Sequence, residues 1–187
     1  MKKLLVVLML CLVSFSFAAE LGLNRVAPAV GVIFPEDDWN MGLQIGAVGD
    51  IGTVMEGKIG LFPVVSYWSS KYEYDWANGD EDITMSNIKI GIDGHYDLSE
   101  QMDGLYAGAG IAFNFLKIEF PTIIGYSDMG VPRYGTNSDS ETEIGFSILG
   151  GYNLELSGKP CFIEARYDII SDLNTFGIKA GMFFDLK

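Results

Sequence analysis

The sequence predicts an all-β protein, an eight-stranded antiparallel transmembrane β-barrel with an up-and-down meander topology. Three observations predict this fold. Apolar and polar residues alternate with a period of two along most of the chain. Turn residues interrupt the alternation at intervals of about 20 residues. The polar face of the strands mixes charges with glycine, which fits the narrow interior of a small membrane barrel better than a solvated surface.

The N-terminal segment, residues 1–18, has the pattern of a secretory signal peptide. Two lysines precede an apolar stretch that ends at Phe17, and small residues flank that position. We therefore expect export through the secretory pathway. Residues 19–187 are expected to form one domain, the barrel itself.

Composition excludes several classes of protein. With 12 basic and 25 acidic residues, the formal net charge is −13, which disfavours binding to nucleic acid because phosphate contacts need clustered Lys and Arg. The hydrophobic fraction of 49% is too high for a disordered chain. Beyond the signal, no apolar run approaches the roughly 20 residues of a spanning helix.

Alternation is clearest around residue 90, where Ile88, Ile90 and Ile92 share one face and Lys89 and Asp93 lie on the other. The same division of faces recurs along the chain. The expected strands lie near 25–34, 40–48, 57–72, 88–98, 104–120, 143–155, 163–169 and 176–186.

Connections between the strands differ at the two ends of the predicted barrel. One set is tight and rich in turn residues, near 49–52, 99–104 and 157–160. The other set contains two long polar loops, 69–82 and 121–140. Because outer-membrane barrels have short periplasmic turns and longer external loops, we expect both termini on the periplasmic side.

The polarity of the two faces separates a membrane barrel from a soluble one. Glycine is frequent on the charged face, as at Gly91, Gly110 and Gly151, and it would weaken a solvated strand without a packing return. This pattern favours a polar interior and a lipid-facing apolar band. Aromatic residues expected at the two rims support it: Phe34, Trp39, Tyr67, Trp68 and Tyr167 at one, Tyr96, Tyr152 and Phe184 at the other. A soluble periplasmic lipid carrier of lipocalin-like form is the alternative if the faces are reversed.

The C-terminal sequence resembles a family signal. Residues 179–186 place a polar residue, a glycine and aromatic residues before a final hydrophobe, Leu186. This order is similar to the insertion signal of the small eight-stranded outer-membrane β-barrel family, of the outer membrane protein A and X type. The resemblance implies the outer membrane of a Gram-negative type bacterium, contact with outer-membrane lipid, and recognition of residues 179–186 by the outer-membrane insertion machinery.

Charged residues on the inward face predict an ion-pair network that closes the lumen. Both signs are present in a narrow interior, and buried charges need partners. Hairpin pairing is expected to bring Lys179 level with Arg166, and Lys58 towards Asp97. A narrow channel for small solutes, porin-like in character, is the alternative. The residues expected in the network are Lys58, Lys89, Asp93, Asp97, Glu164, Arg166, Asp168 and Lys179.

Catalytic and cofactor chemistry has little support in the sequence. His95 is the single histidine, and no metal-ligand set or cofactor motif accompanies it, so neither an enzyme nor a cofactor is expected. The predicted function is instead envelope structure or surface contact through acidic, aromatic external loops, with an unidentified extracellular protein as a possible partner. The loop residues expected to make that contact are Trp68, Tyr72, Tyr74 and Trp76.

Overall fold

The computed structural model describes residues 22–36, 39–55, 57–76, 79–126, 132–171 and 173–186. Eight long antiparallel strands form a closed barrel, as predicted. The predicted signal peptide lies outside the described residues. No helix in the described ranges is both long and apolar enough to span a bilayer. The strands are β1 Arg25–Pro35, β2 Gly42–Asp50, β3 Ile59–Trp76, β4 Gly79–Asp97, β5 Leu105–Tyr126, β6 Pro132–Leu156, β7 Lys159–Ile169 and β8 Thr175–Met182.

Each strand pairs with the next strand along the chain, and the first pairs with the last. The β1–β8 register places Gly31 opposite Lys179 and Ile33 opposite Gly177. This pairing closes the sheet and leaves no edge within the barrel wall. We call the end at which Arg25 and Asp185 lie the terminus end, and the end reached by Trp76 and Tyr126 the hairpin end.

Two short strands continue the barrel at the terminus end. Thr53–Val54 follows β2 and pairs with β3, while Phe184–Asp185 follows β8 and pairs with β1. The turn expected at 49–52 is therefore wrong: the strand bends there, and the turn comes later, where the Lys58 amide donates to the Met55 carbonyl. The register shifts at this bend, opposite Pro63, which cannot donate to the β2 ladder.

The two long polar loops of the sequence prediction are also wrong, because most of their residues are in strands. Pairing between β3 and β4 continues to Trp76 and Gly79, and pairing between β5 and β6 continues to Tyr126 and Pro132. Hairpin pairing satisfies the backbone hydrogen bonds of these segments beyond the barrel. In the β5–β6 hairpin, the consecutive residues 136–142 are all exposed, so both faces of that strand segment lie in water.

The polarity of the wall is inverted relative to a soluble barrel. Val30 and Ile148 on the outer face are 64% and 63% exposed, whereas Arg166 in the lumen is 3% exposed. Charge inside and apolar side chains outside fit a lipid environment and contradict the lipocalin-like alternative, which requires an apolar interior.

Aromatic side chains gather near both rims of the outer face. They include Phe34, Tyr67, Tyr167 and Phe176 towards the hairpin end, and Tyr96, Tyr152 and Phe184 towards the terminus end; Phe113, Phe115 and Phe146 are also exposed on this face. Trp39 and Trp68 were expected in the first belt, but Trp68 is buried in the lumen and Trp39 packs partly buried against the same apolar cluster. Alternation along β3 explains the Trp68 result, because its neighbour Tyr67 takes the outer face.

Glycines on the inner face make room for large lumen side chains. A Cβ at Gly110 would collide with the Asp93 carboxylate, and one at Gly151 would collide with the Tyr106 ring. Glycine has a different role in the turn between β6 and β7, where Ser157 and Gly158 both have positive φ. That backbone is typical of a two-residue hairpin turn matched to strand twist.

The side chains that face the lumen form three layers. An apolar cluster lies at each end: Ile33, Trp68, Met85 and Leu173 at the hairpin end, and Ala27, Ala29, Val48, Val64, Phe162 and Phe183 at the terminus end. A layer of buried charged residues separates the two clusters. The strands thus position a polar site inside an apolar enclosure.

Candidate functional site

Arg166 is the centre of the charged layer. Its guanidinium donates to both carboxylate oxygens of Asp93, at 3.2 and 3.3 Å, to Glu164 at 3.4 Å and to Asp168 at 3.2 Å. A further hydrogen bond of 2.8 Å reaches the Ser147 hydroxyl. Because Asp93 lies on β4 and Arg166 on β7, this side chain joins opposite parts of the wall.

Two lysines complete the layer. Lys89 Nζ lies 2.6 Å from Asp168 Oδ1 and 3.1 Å from Ser147 Oγ. Lys179 Nζ lies 2.9 Å from Glu164 Oε1. Lys89, Arg166 and Lys179 thus face Asp93, Glu164 and Asp168, so cations and carboxylates balance in formal charge. Pairing of this kind reduces the cost of burying ions. We call these six side chains the lumen network.

The lumen network contains six of the eight residues that the sequence analysis placed together. Lys58 and Asp97 lie elsewhere, and the prediction for them is wrong. Lys58 is exposed in the turn before β3, and exposed Asp97 accepts a 2.8 Å hydrogen bond from the Ser99 amide. Both residues sit at the terminus-end rim, where water solvates charge and removes the need for an ion pair.

The predicted pairing of Lys179 directly opposite Arg166 is also wrong. The β7–β8 register places Lys179 opposite Glu164 and leaves Gly177 opposite Arg166. The observed register therefore differs by two residues from the predicted one. A Cβ at Gly177 would collide with Ile33 Cδ1 at 2.7 Å and would only touch Arg166 Cγ at 3.7 Å, so this glycine makes room for Ile33.

Ser147 and Tyr106 belong to the site although the sequence analysis did not select them. Ser147 donates to Asp168, and the Tyr106 hydroxyl donates to Glu164 Oε2 at 3.1 Å. The alternation of the sequence already places both residues on the inward face, so it could have indicated them. Formal charge does not indicate neutral hydroxyl groups, although they can join a buried ion-pair network through hydrogen bonds.

The contact residues proposed from the sequence divide into two groups. Trp68 is 2% exposed and packs against Ile33 and Met85 inside the lumen, so its assignment as an external contact residue is wrong. Tyr72 is half-buried, with its ring 5.8 Å from that of Trp39. The side chains of Tyr74 and Trp76 lie outside the described set, and their assignment stays a prediction.

Exposed side chains instead mark the hairpin formed by β5 and β6. Its pairing with β4 ends at Thr84 and Glu119, and pairing of β6 with β7 begins at Phe146. Residues 120–126 and 132–145 therefore extend past their outer neighbours. Ile123, Ile124 and Tyr126 are exposed there, together with Asp139 and Glu141.

A polar latch joins the strands at the hairpin-end rim. The Glu36 carboxylate accepts hydrogen bonds of 2.5 Å from the Tyr167 hydroxyl and 2.8 Å from the Asn174 side-chain amide. These hydrogen bonds lower the pKa of Glu36 because they stabilise its ionised form. The latch ties the end of β1 to β7 and to the connection before β8.

Together, the closed meander, the inverted polarity and the paired aromatic belts define the class: the chain has the fold of the eight-stranded outer-membrane β-barrels. No protein-family model and no curated protein sequence matches it. Solved structures do match. Ail, the attachment invasion locus protein of Yersinia pestis, in complex with the heparin analogue sucrose octasulfate, is 12% identical with a TM-score of 0.56, covering 87% of this chain and 100% of Ail.

Neisserial surface protein A is a second similar structure. It is 14% identical with a TM-score of 0.52, and the match covers 88% of this chain and 98% of that protein. Structural similarity at such low sequence identity shows a shared fold and does not show a shared activity. The resemblance found in the sequence is therefore confirmed as an architecture that spans nearly the whole of both chains.

Proposed function

We propose that this protein is a closed outer-membrane barrel that works by contact, presenting its hairpin end to another surface, and is neither a channel nor an enzyme. The observation that carries the proposal is a contrast within one chain. The lumen is closed across its middle by balanced ion pairs between two apolar clusters. The β5–β6 hairpin, in comparison, extends exposed apolar and acidic residues beyond the barrel.

The filled lumen argues against solute passage. An eight-stranded barrel is just wide enough for side chains, and open aqueous channels belong to barrels of about 16 strands or more. The void beside Arg166 and Lys179 is about 10 Å³, no more than a water-sized space. Opening a path would require breaking the lumen network, which leaves charges unpaired.

Orientation follows from the unequal ends. Outer-membrane barrels carry short turns on the periplasmic side and longer segments outside, so the proposal places the hairpin end outside the cell. Protease added to intact cells is then expected to cut first in the hairpins that end at Trp76 and Tyr126. Cleavage confined to the Ser99–Gly104 turn would reverse the orientation.

The chemistry of the β5–β6 hairpin defines the partner. Ile123, Ile124 and Tyr126 offer apolar anchors. The negative charges of Asp139 and Glu141 outnumber the positive charge of Arg133, which is exposed opposite Gly125. A sulfated polyanion such as the ligand in the Ail complex would be repelled by these carboxylates. The proposed partner is therefore a protein surface that carries apolar and basic groups.

A binding experiment tests this proposal with the protein reconstituted in lipid nanodiscs. We expect wild type to bind a sensor coated with lysozyme, as a basic protein probe, and not a sensor coated with heparin. The triple variant Ile123→Ser, Ile124→Ser, Tyr126→Ser should bind lysozyme at least about 10-fold more weakly, since anchor residues dominate interface energy. The matched control, Glu100→Gln with Asp103→Asn at the opposite end, should bind like wild type. Equal binding by wild type and the triple variant would contradict the proposal.

Planar-bilayer recording tests the closed lumen separately. Purified wild type is expected to be electrically silent. Arg166→Ala, which removes the central cation, is expected to conduct. A steady large conductance in wild type would contradict the proposal of a closed lumen and favour the channel alternative.

A further inference from the structure

A cavity of about 220 Å³ lies in the lumen at the terminus end, on the opposite side of the lumen network from the hairpins. The side chains of His95 and Glu164 line it on the network side. Arg25, which is 36% exposed, also lines it and places its mouth at the rim. An apolar cavity of about 150 Å³ holds benzene in other proteins. This cavity is therefore large enough for one ring with a small substituent.

Aromatic rings form most of its wall. The His95 ring stacks between Phe62, with centroids 4.2 Å apart, and Tyr106, with centroids 4.5 Å apart. The Phe183 ring lies 5.6 Å from Phe162 and 6.3 Å from Phe62. Offset and edge-on contacts with such rings favour an aromatic occupant over an aliphatic one of the same size.

Two polar atoms at the inner end of the cavity are left with a gap between them. His95 Nε2 is buried without a hydrogen-bond partner among the described residues, and it lies 3.8 Å from Glu164 Oε2. That separation is too long for a hydrogen bond. A single atom about 2.8 Å from both would span it at roughly a right angle. It would give His95 Nε2 the partner it lacks and would add a second hydrogen bond at Glu164 Oε2, beside the one from Tyr106.

The two atoms select the chemistry of the group that bridges them. Glu164 lies 2.9 Å from Lys179 and 3.4 Å from Arg166, and a carboxylate paired with these cations only accepts hydrogen bonds. A neutral imidazole that carries its proton on Nε2 donates towards the same gap. A hydroxyl can accept from His95 and donate to Glu164 at the same time. A carboxylate would instead meet Glu164 with like charge, and an ammonium cannot accept a hydrogen bond.

We propose that this cavity binds a neutral, single-ring phenol, with its ring among the aromatic walls and its hydroxyl between His95 and Glu164. The site goes beyond the proposed contact function, because it lies at the opposite end of the barrel and uses none of the hairpin residues. Under the proposed orientation the phenol enters from the periplasm. The lumen network blocks its further passage, so the site binds and does not conduct.

His95 supplies a direct probe, because it is the only histidine in the chain. Tag-free protein labelled with ¹⁵N and refolded in detergent micelles gives one set of imidazole signals. Titration with p-cresol is expected to shift the His95 nitrogen signals saturably. Toluene, which has the same ring and methyl group without the hydroxyl, should bind at least about 10-fold more weakly, as should 4-methylbenzoate and 4-methylbenzylamine.

Two variants separate the site from partition into micelles. His95→Phe keeps the ring stack and removes the donor, so calorimetry should show p-cresol binding at least about 10-fold weaker than in wild type. Val48→Phe fills the cavity, since Val48 lines it, and should abolish binding in a protein whose folding is verified by heat-modifiable gel migration. Absence of a saturable His95 shift with p-cresol, equal binding of toluene, or unchanged binding in folded Val48→Phe would overturn the proposal in favour of a cavity filled by water only.

Discussion

The lumen and the β5–β6 hairpin use the same strand alternation but treat charge in opposite ways. In the lumen network every carboxylate lies within 3.4 Å of a cation, and the side chains are nearly fully buried. On the hairpin, Asp139 and Glu141 are exposed, and the nearby Lys117–Glu119 ion pair is open to solvent. The difference teaches that burial, and not the local sequence, makes pairing obligatory, because water stabilises an exposed charge without a partner.

The largest expected effect comes from removing the central cation of the lumen. Arg166→Ala leaves the carboxylates of Asp93, Glu164 and Asp168 with too little positive charge, which should cost about 3–5 kcal/mol of unfolding free energy. Arg133→Ala on the exposed hairpin should change it by less than about 0.5 kcal/mol. Urea unfolding in lipid vesicles, followed by tryptophan fluorescence, measures both. Similar losses in the two variants would remove the distinction between the regions.

A charge placed on the lipid face should have the next largest effect. Ile148→Arg should lower the unfolding free energy by about 2–4 kcal/mol if the residue lies near the bilayer midplane. Ile124 is equally apolar and 68% exposed, but it lies beyond the barrel, so Ile124→Arg should be nearly neutral. The same vesicle assay compares them. Equal tolerance at both positions would argue against a membrane around Ile148.

Crowding of the lumen offers a smaller test. Gly110→Ala would push the Asp93 carboxylate, which Arg166 holds at 3.2 and 3.3 Å, and overpacking of this kind costs about 1–3 kcal/mol. A Cβ at Gly150 on the outer face meets only the Tyr106 carbonyl oxygen at an ordinary 3.8 Å. Gly150→Ala should therefore unfold at nearly the wild-type urea concentration. An equal shift in midpoint for the two variants would show that glycine in these strands does not serve lumen packing.

The smallest expected effect is a pH dependence at the hairpin-end rim. Hydrogen bonds from Tyr167 and Asn174 lower the pKa of Glu36, so its contribution to stability is present above the ordinary glutamate pKa of about 4.3 and is lost as the pH falls through the lowered value. The difference in urea midpoint between wild type and Glu36→Gln should therefore shrink on acidification. Tyr167→Phe, which removes the main donor, should show the same trend. A difference that grows at low pH would contradict the sign.

Much of the barrel could be predicted because its signals are local. Period-two alternation identified the strand around Ile90, and glycine on the charged face indicated which side faces inward. The inward position of the six network residues follows from their odd or even positions along the strands. The sequence did not predict the outer part of β6 as a strand because residues 136–142 are polar and exposed on both faces, and a strand in water on both sides has no alternation of polar and apolar residues.

The sequence by itself determined the alternation, the side of the wall for most strand residues, and therefore that opposite charges would share a narrow interior. Only the tertiary structure decided which charges pair, that Lys58 and Asp97 remain in solvent, and that Trp68 seals the lumen. The physical reason is that odd or even position along a strand fixes the face on which a side chain lies. The register between strands then fixes which side chains are its neighbours, and the position of the rim fixes its exposure to water. The gap between His95 and Glu164 is of the same kind, because it exists only where β4 and β7 approach across the lumen.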